Sequence, residues 1–254
     1  DGKIVAGTTD PDGDGTPEII LSGIAGPPQI IGGDGYQVHA LENGTPSIPE
    51  KGYGPDSDSS DLPSVTLFSS PSVGDLNNDG RLDVIQGIGG MNLVATFAQG
   101  GQRLEFDHLF GAWDVPSGRF LNAFPRVVDD WQFFMSAAMA DLDGDGLQEA
   151  ISGNAGYFVH AFNRYGAEPE GWPKFTGGWI GASPAVGDVD GDGNLDVVVV
   201  TRNGWIFAWR TTGPETGRID WPSFGHDNRN TGNFQTPLDQ GTKEITCNPD
   251  IDDD

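Results

Sequence analysis

One acidic loop of nine residues, Asp-x-Asp/Asn-x-Asp-Gly-x-x-Asp/Glu, occurs four times in this chain. The copies run from Asp10 to Glu18, Asp75 to Asp83, Asp141 to Glu149 and Asp188 to Asp196, so their starts lie 65, 66 and 47 residues apart. Self-similarity on this scale marks a chain built from repeated supersecondary units. The repeat extends beyond the loop. Ser-Pro-Ser-Val-Gly (70–74), Ser-Ala-Ala-Met-Ala (136–140) and Ser-Pro-Ala-Val-Gly (183–187) precede the last three copies. Apolar runs follow each loop: Ile19–Leu21, Val84-Ile85, Ala150-Ile151 and Val197–Val200. A third strand is expected at Tyr36–Leu41, Asn92–Phe97, Tyr157–Phe162 and Trp205–Trp209. A fourth is expected at Phe124–Val127, Trp172–Phe175 and Trp221–Phe224. These runs are short, β-branched or aromatic, and separated by Gly or Asn turns, which is the pattern of strands.

A four-stranded antiparallel sheet recurring every ~45–65 residues is the blade of a β-propeller. The expected fold is therefore all-β, with four blades in this chain and the acidic loop between the first and second strand of each. The count of 39 Gly and 18 Pro fits many tight turns and no long helices. No run of about 18 apolar residues is present to span a membrane as a helix. The wider spacings leave room for two insertions, Thr45–Asp61 and Gly101–Asp130, the second carrying Phe106, Phe110, Trp113 and Phe120. Insertions on a rigid scaffold are where a partner is expected to bind.

The chain carries 38 acids against 13 bases, a formal charge of −25. That balance excludes nucleic acid as a partner, because phosphate binding needs Lys and Arg. It also makes a compact fold repel itself unless cations neutralise the acids. Four Ca²⁺ ions would bring the charge to about −17. Calcium takes six to eight hard oxygens at about 2.3–2.6 Å. Carboxylates at loop positions 1, 3, 5 and 9 converge if the chain curls tightly, and Gly at position 6 permits the curl. An EF-hand begins alike but needs Glu at position 12. Leu21, Gln86, Ser152 and Val199 stand there instead. A metal-free Asp/Gly surface turn would explain one such loop; it does not explain four that each carry an acid at position 9. The single Cys247 excludes an internal disulfide framework and a thiolate metal cluster.

With the loops, the Ser-Pro-Ala-Val-Gly segments and the Trp-Pro segments in view, the chain resembles the FG-GAP or VCBS repeats, relatives of the integrin alpha-subunit propeller, over roughly residues 1–235. The resemblance implies one structural Ca²⁺ per loop on the rim of each blade. The ligands it implies are Asp10, Asp12, Asp14, Thr16 and Glu18; Asp75, Asn77, Asp79, Arg81 and Asp83; Asp141, Asp143, Asp145, Leu147 and Glu149; and Asp188, Asp190, Asp192, Asn194 and Asp196. Thr16, Arg81, Leu147 and Asn194 occupy position 7, where the backbone carbonyl binds and the side chain varies. Asn77 makes the second site one charge poorer. Rings of seven or eight blades are common in this family, so the four blades are expected to belong to a larger ring.

Among the other candidate residues, His39 and His160 align with Phe207, which marks a packing position, and His226 has no assigned role. Trp172, Trp179, Trp205, Trp209 and Trp221 recur at strand positions, and most of them are expected in the core. Trp113 and Trp131 are candidates for ligand contact, with packing the stronger reading. The blades are expected to span residues 1–236. Residues 237–254 are expected to be a linker opening a thrombospondin type-3-like calcium repeat at Asp250, Asp252 and Asp254.

These features point to a secreted or cell-surface adhesion module that binds a protein or glycan and neighbours further blades or domains. No catalytic residue is assigned, and the chain is not expected to be an enzyme. The alternative is the propeller part of a secreted polysaccharide lyase or of a quinoprotein-like enzyme. That needs convergent bases or a central cofactor pocket, and no recurring Lys, Arg or His set provides one.

Overall fold

The computed structural model describes residues 3–6, 15–22, 26–38, 41–42, 64–66, 68–90 and 108–238. These residues form strands and turns with no helix, in four antiparallel sheets. The first sheet holds β1 (Lys3–Ala6), β2 (Ile19–Ser22) and β3 (Gln29–Ile31). The second holds β4 (Ser64–Val65), β5 (Ser72–Gly74), β6 (Asp83–Gly90), β7 (His108–Asp114), β8 (Arg119–Phe120) and β9 (Arg126–Val127). The third is built on β10 (Ala138–Ala140), β11 (Glu149–Gly153), β12 (Phe158–Phe162) and β13 (Lys174–Phe175). The fourth holds β14 (Ala185–Gly187), β15 (Asn194–Val200) and β16 (Ile206–Pro214). A last strand, β17 (Ile219–Trp221), follows. The acidic loops join β1 to β2, β5 to β6, β10 to β11 and β14 to β15, the place the repeat assigns them.

The third sheet shows how the sheets stack. Met139, Ala150 and Phe162 lie in register on one face, and Ala138, Ile151 and Ala161 on the other. The first set packs into a core shared with Val84, Ile85 and Trp113 of the second sheet. The second set packs into a core shared with Val186, Leu195, Val197 and Val199 of the fourth. A sheet buried on both faces cannot alternate apolar and polar residues, which is why β10, and β11 after Glu149, read as continuous apolar and small residues. Burying a side chain such as Met139 or Ile151 contributes roughly 1.5–3 kcal/mol, so this stacking holds the repeats together.

The structure corrects the sequence expectation in four places. In the first repeat the partner of β2 is β3, not Tyr36–Leu41; Gln37 makes only an isolated bridge to Ile31. The chain has already turned at Gly26-Pro27-Pro28. In the second repeat the partner of β6 is β7, paired over seven residues from Asp83–Asp114 to Gly89–His108. The segment Asn92–Phe97 lies outside the described residues. Residues 108–130 are therefore part of the second sheet and not an insertion: Phe110 and Trp113 are buried, and Phe120 stacks on Trp113 at 4.9 Å. The insertion Thr45–Asp61 lies outside the described residues, as does most of 237–254.

The third correction concerns the fourth strands. β9 and β13 take that place in their sheets, as the Phe-Pro and Trp-Pro segments suggest. β17, which carries Trp221, instead leaves its own repeat and pairs with β10 of the third sheet. Its Trp221 is fully buried and lies edge-on to His226 at 5.0 Å. The fourth correction is Trp205, which is 66% exposed and not in the core.

Candidate metal centres

The three loops that are fully described share one hydrogen-bond wiring. The position 9 carboxylate accepts the amide of position 2: Asp83 from Leu76, Glu149 from Leu142 and Asp196 from Val189, each at 2.9 Å. The position 1 carboxylate accepts the amide of position 6: Asp75 from Gly80, Asp141 from Gly146 and Asp188 from Gly193, at 3.0, 3.0 and 2.9 Å. The position 5 carboxylate accepts the amide of position 7, at 2.9 Å from Arg81, 2.8 Å from Leu147 and 2.9 Å from Asn194. Acids at positions 1, 5 and 9 thus fold the loop back on itself before any cation is considered.

The glycine at position 6 has a positive φ in every copy: 90° at Gly15, 85° at Gly80, 85° at Gly146 and 86° at Gly193. A Cβ at any of them would meet nothing within 4 Å. Glycine is required there by backbone conformation and not by crowding. Position 4 is also left-handed, at Asn78, Gly144 and Gly191. The sequence carried that signal, since only Gly or Asn stands at position 4, but the loop pattern treated it as free.

Positions 1, 3 and 9 converge. Asp141, Asp143 and Glu149 bring oxygen atoms within 4.8 Å of one another, and Asp188, Asp190 and Asp196 do the same. Asn77 replaces the acid at position 3 of the second loop, so no such acid trio forms there. Asp10, Asp12 and Asp14 of the first loop lie outside the described residues. Its Glu18 is buried and accepts a long hydrogen bond of 3.5 Å from the Thr16 hydroxyl.

Burial pushes the Asp83 carboxyl up to about 8 and the Glu149 carboxyl up to about 8, against the amide hydrogen bonds each accepts. Asp83 Oδ1 and Asn77 Oδ1 are buried with no hydrogen-bond partner. Asp188, by contrast, accepts the amides of Gly193, Gly191 and Asp192 and is held below the usual carboxylate range. The donor set fits a hard divalent cation: all oxygen, several carboxylates, and lone pairs that the fold leaves unused.

Side chains outside the loops complete their surroundings, and the repeat pattern did not reveal them. Asp220 of β17 accepts the amide of Asp75 at 2.9 Å and the Gln148 side-chain amide at 2.7 Å, joining the second loop to the third. Arg218 bonds Asp220 at 2.8 Å and reaches Asp75 at 3.4 Å. A Cβ at Gly74 would fall 2.9 Å from the Asp220 Cβ, so that glycine makes room for β17. Arg81 pairs with Asp79 at 2.8 Å. Exposed Arg210 pairs with Asp190, and a cation in the fourth loop would share that carboxylate with it.

Residues 141–199 match the FG-GAP-like repeat. The matched FG-GAP-like span opens on Asp141, contains both converging acid trios, and ends within β15. No curated protein matches the chain. Among solved structures it is similar to the crystal structure of BBS1N in complex with ARL6DN, soaked with lead. The identity is 12% over 81% of this chain and 65% of that one, with a TM-score of 0.32.

The histidines are placed as follows. His39 lies outside the described residues. His160 stacks on Phe162 with its faces, at 5.4 Å, as a packing residue does. Its edges contact acids: Nε2 lies 2.9 Å from Asp129 and Nδ1 3.1 Å from Glu168. His226 is buried 3.5 Å from Asp227, and burial lowers its pKa. Half-buried Trp131 packs edge-on to His108 at 4.8 Å.

Proposed function

We propose that this chain is a calcium-stabilised β-propeller module of a secreted or cell-surface protein, acting as an adhesion or recognition unit for a protein or glycan. The observation that carries the reading is the convergence of the position 1, 3 and 9 acids in the third and fourth loops, on one shared backbone wiring. In this reading each of the four loops holds one Ca²⁺, with the position 7 carbonyls of Thr16, Arg81, Leu147 and Asn194 among its ligands. The ion's work is structural: it neutralises clustered acids and fixes the loops between first and second strands. The stacking of the third sheet between the second and fourth supports a propeller, and the four repeats would form part of a larger ring. An exported location fits the calcium level such sites need; no helix among the described residues is long and apolar enough to cross a membrane.

Calorimetric titration of the chelator-stripped chain with Ca²⁺, paired with melting curves, tests this. The expected result is about four ions bound per chain and a melting temperature that falls sharply in chelator. No Ca²⁺ uptake, or a melt indifferent to chelator, would sink it.

A further inference from the structure

A second site lies away from the acidic loops, between the second and third sheets. A cleft of about 310 Å³ opens there, lined by Arg126 of β9, His160 and Phe162 of β12, and Asp129 and Glu168 from the adjoining turns. The Arg126 guanidinium carbon sits 5.9 Å from the centre of the Phe162 ring. Its Nε is buried and has no hydrogen-bond partner. Among the described residues no carboxylate lies within ion-pair distance of it, in a chain with 38 acids and 13 bases. The two acids of the same cleft are turned to His160 instead, Asp129 at 2.9 Å and Glu168 at 3.1 Å. The fold also makes space for this arginine. Gly166 has a φ of 66°, and a Cβ there would fall 2.8 Å from Arg126 Cδ. A partly buried guanidinium normally takes a carboxylate or phosphate in its planar fork. Here the fork is left for a ligand.

We propose that this cleft binds a uronic acid residue, terminal or pendant on a glycan, with Arg126 gripping its carboxylate. The neighbouring acids select against a phosphate dianion. Their remaining lone pairs accept sugar hydroxyls, and the Asp129 side chain is 52% exposed for that purpose. The volume is at the low end of small-molecule sites, roughly 300–1,000 Å³, which suits one sugar ring. The Phe162 ring beside the guanidinium, 5.9 Å from its central carbon, offers the sugar an apolar wall. The inference deepens the recognition reading above and rests on it.

The test is amide NMR of the calcium-loaded chain, titrated separately with D-galacturonate, D-glucuronate, galactose and acetate. The expected result is that at least one uronate shifts the Arg126, His160 and Gly166 amides with millimolar affinity. Galactose and acetate should leave them unmoved. Arg126→Gln should weaken uronate binding roughly tenfold or more with its calcium-dependent melt retained. The site is overturned if neither uronate moves those amides, if galactose or acetate moves them equally, or if the variant binds as well as the parent. The uronate and galactose arms decide the matter in the parent protein even if the variant folds poorly. The calcium-dependent melt of the same sample shows whether the calcium reading itself has failed.

Discussion

Glu149 shows at the scale of one residue why these loops need a cation. The residue is 1% exposed, and burial pushes its carboxyl to about 8 from an ordinary value of 4.5. Without metal, the folded state therefore holds a proton that the unfolded chain releases above pH 4.5. Each such group costs roughly 1.4 kcal/mol per pH unit across that window. The cation-free protein should lose stability as pH rises from about 4.5 toward 8, and Asp83, raised to about 8 by the same burial, adds to the loss. Urea unfolding in chelator at pH 5 and pH 8 checks this; with Ca²⁺ present the two curves should nearly coincide. Glu149→Gln should have opposite effects in the two forms, raising the midpoint at pH 8 in chelator and lowering it in Ca²⁺. A second residue-scale prediction concerns Gly193, whose φ of 86° sits in open space. Gly193→Ala should cost about 1–2 kcal/mol by backbone strain alone, and Gly193→Asn distinctly less, read by urea midpoints. The acids and the position 6 glycine were legible in the sequence because a repeated loop exposes what it holds constant. Arg126 was not, because the equivalent positions of the other repeats hold Lys174 and Ser223, so the repeat does not single it out; its meaning lies in having no partner, which only the structure shows.

At the scale of elements, the repeat predicted the order strand, acidic loop, strand correctly. It misplaced strands where repeats differ in length. Asn92–Phe97 matches the strand pattern as well as β7 does, and a strand pattern alone does not decide which of two such segments pairs with β6. β17 was assigned to the wrong sheet for a similar reason: Trp221-Pro222 copies Trp172-Pro173, but Asp220 is held by Asp75, Gln148 and Arg218. Asp220→Ala leaves the Asp75 amide and the Gln148 side-chain amide buried and unpaired, at a cost of roughly 2–4 kcal/mol. Hydrogen exchange should show amides of β17 and β10 losing protection first, with β15 and β16 little changed. Equal loss in all four strands would mean that Asp220 does not specifically anchor β17.

At the scale of the whole molecule, charge governs. A formal −25 on 254 residues repels itself most when the loops are empty. Sodium chloride should therefore raise the melting temperature of the cation-free chain markedly and that of the calcium-loaded chain much less. Equal salt responses in the two forms would show that the loops carry little of the strain. Composition alone made this term legible, whereas the stacking of sheets that it opposes had to be seen.

The pairing of β17 with β10 has a consequence for how the protein is made. Repeats of this kind could in principle mature one after another as the ribosome releases them. Here the edge of the third sheet at Met139 stays bare until Trp221 has emerged, a whole repeat later. Until then β10 offers unpaired backbone groups to any passing strand, including another nascent copy of this chain. The hazardous interval in synthesis is thus the time taken to translate β14 through β17, and slowing the ribosome there would be expected to cost yield before it cost stability.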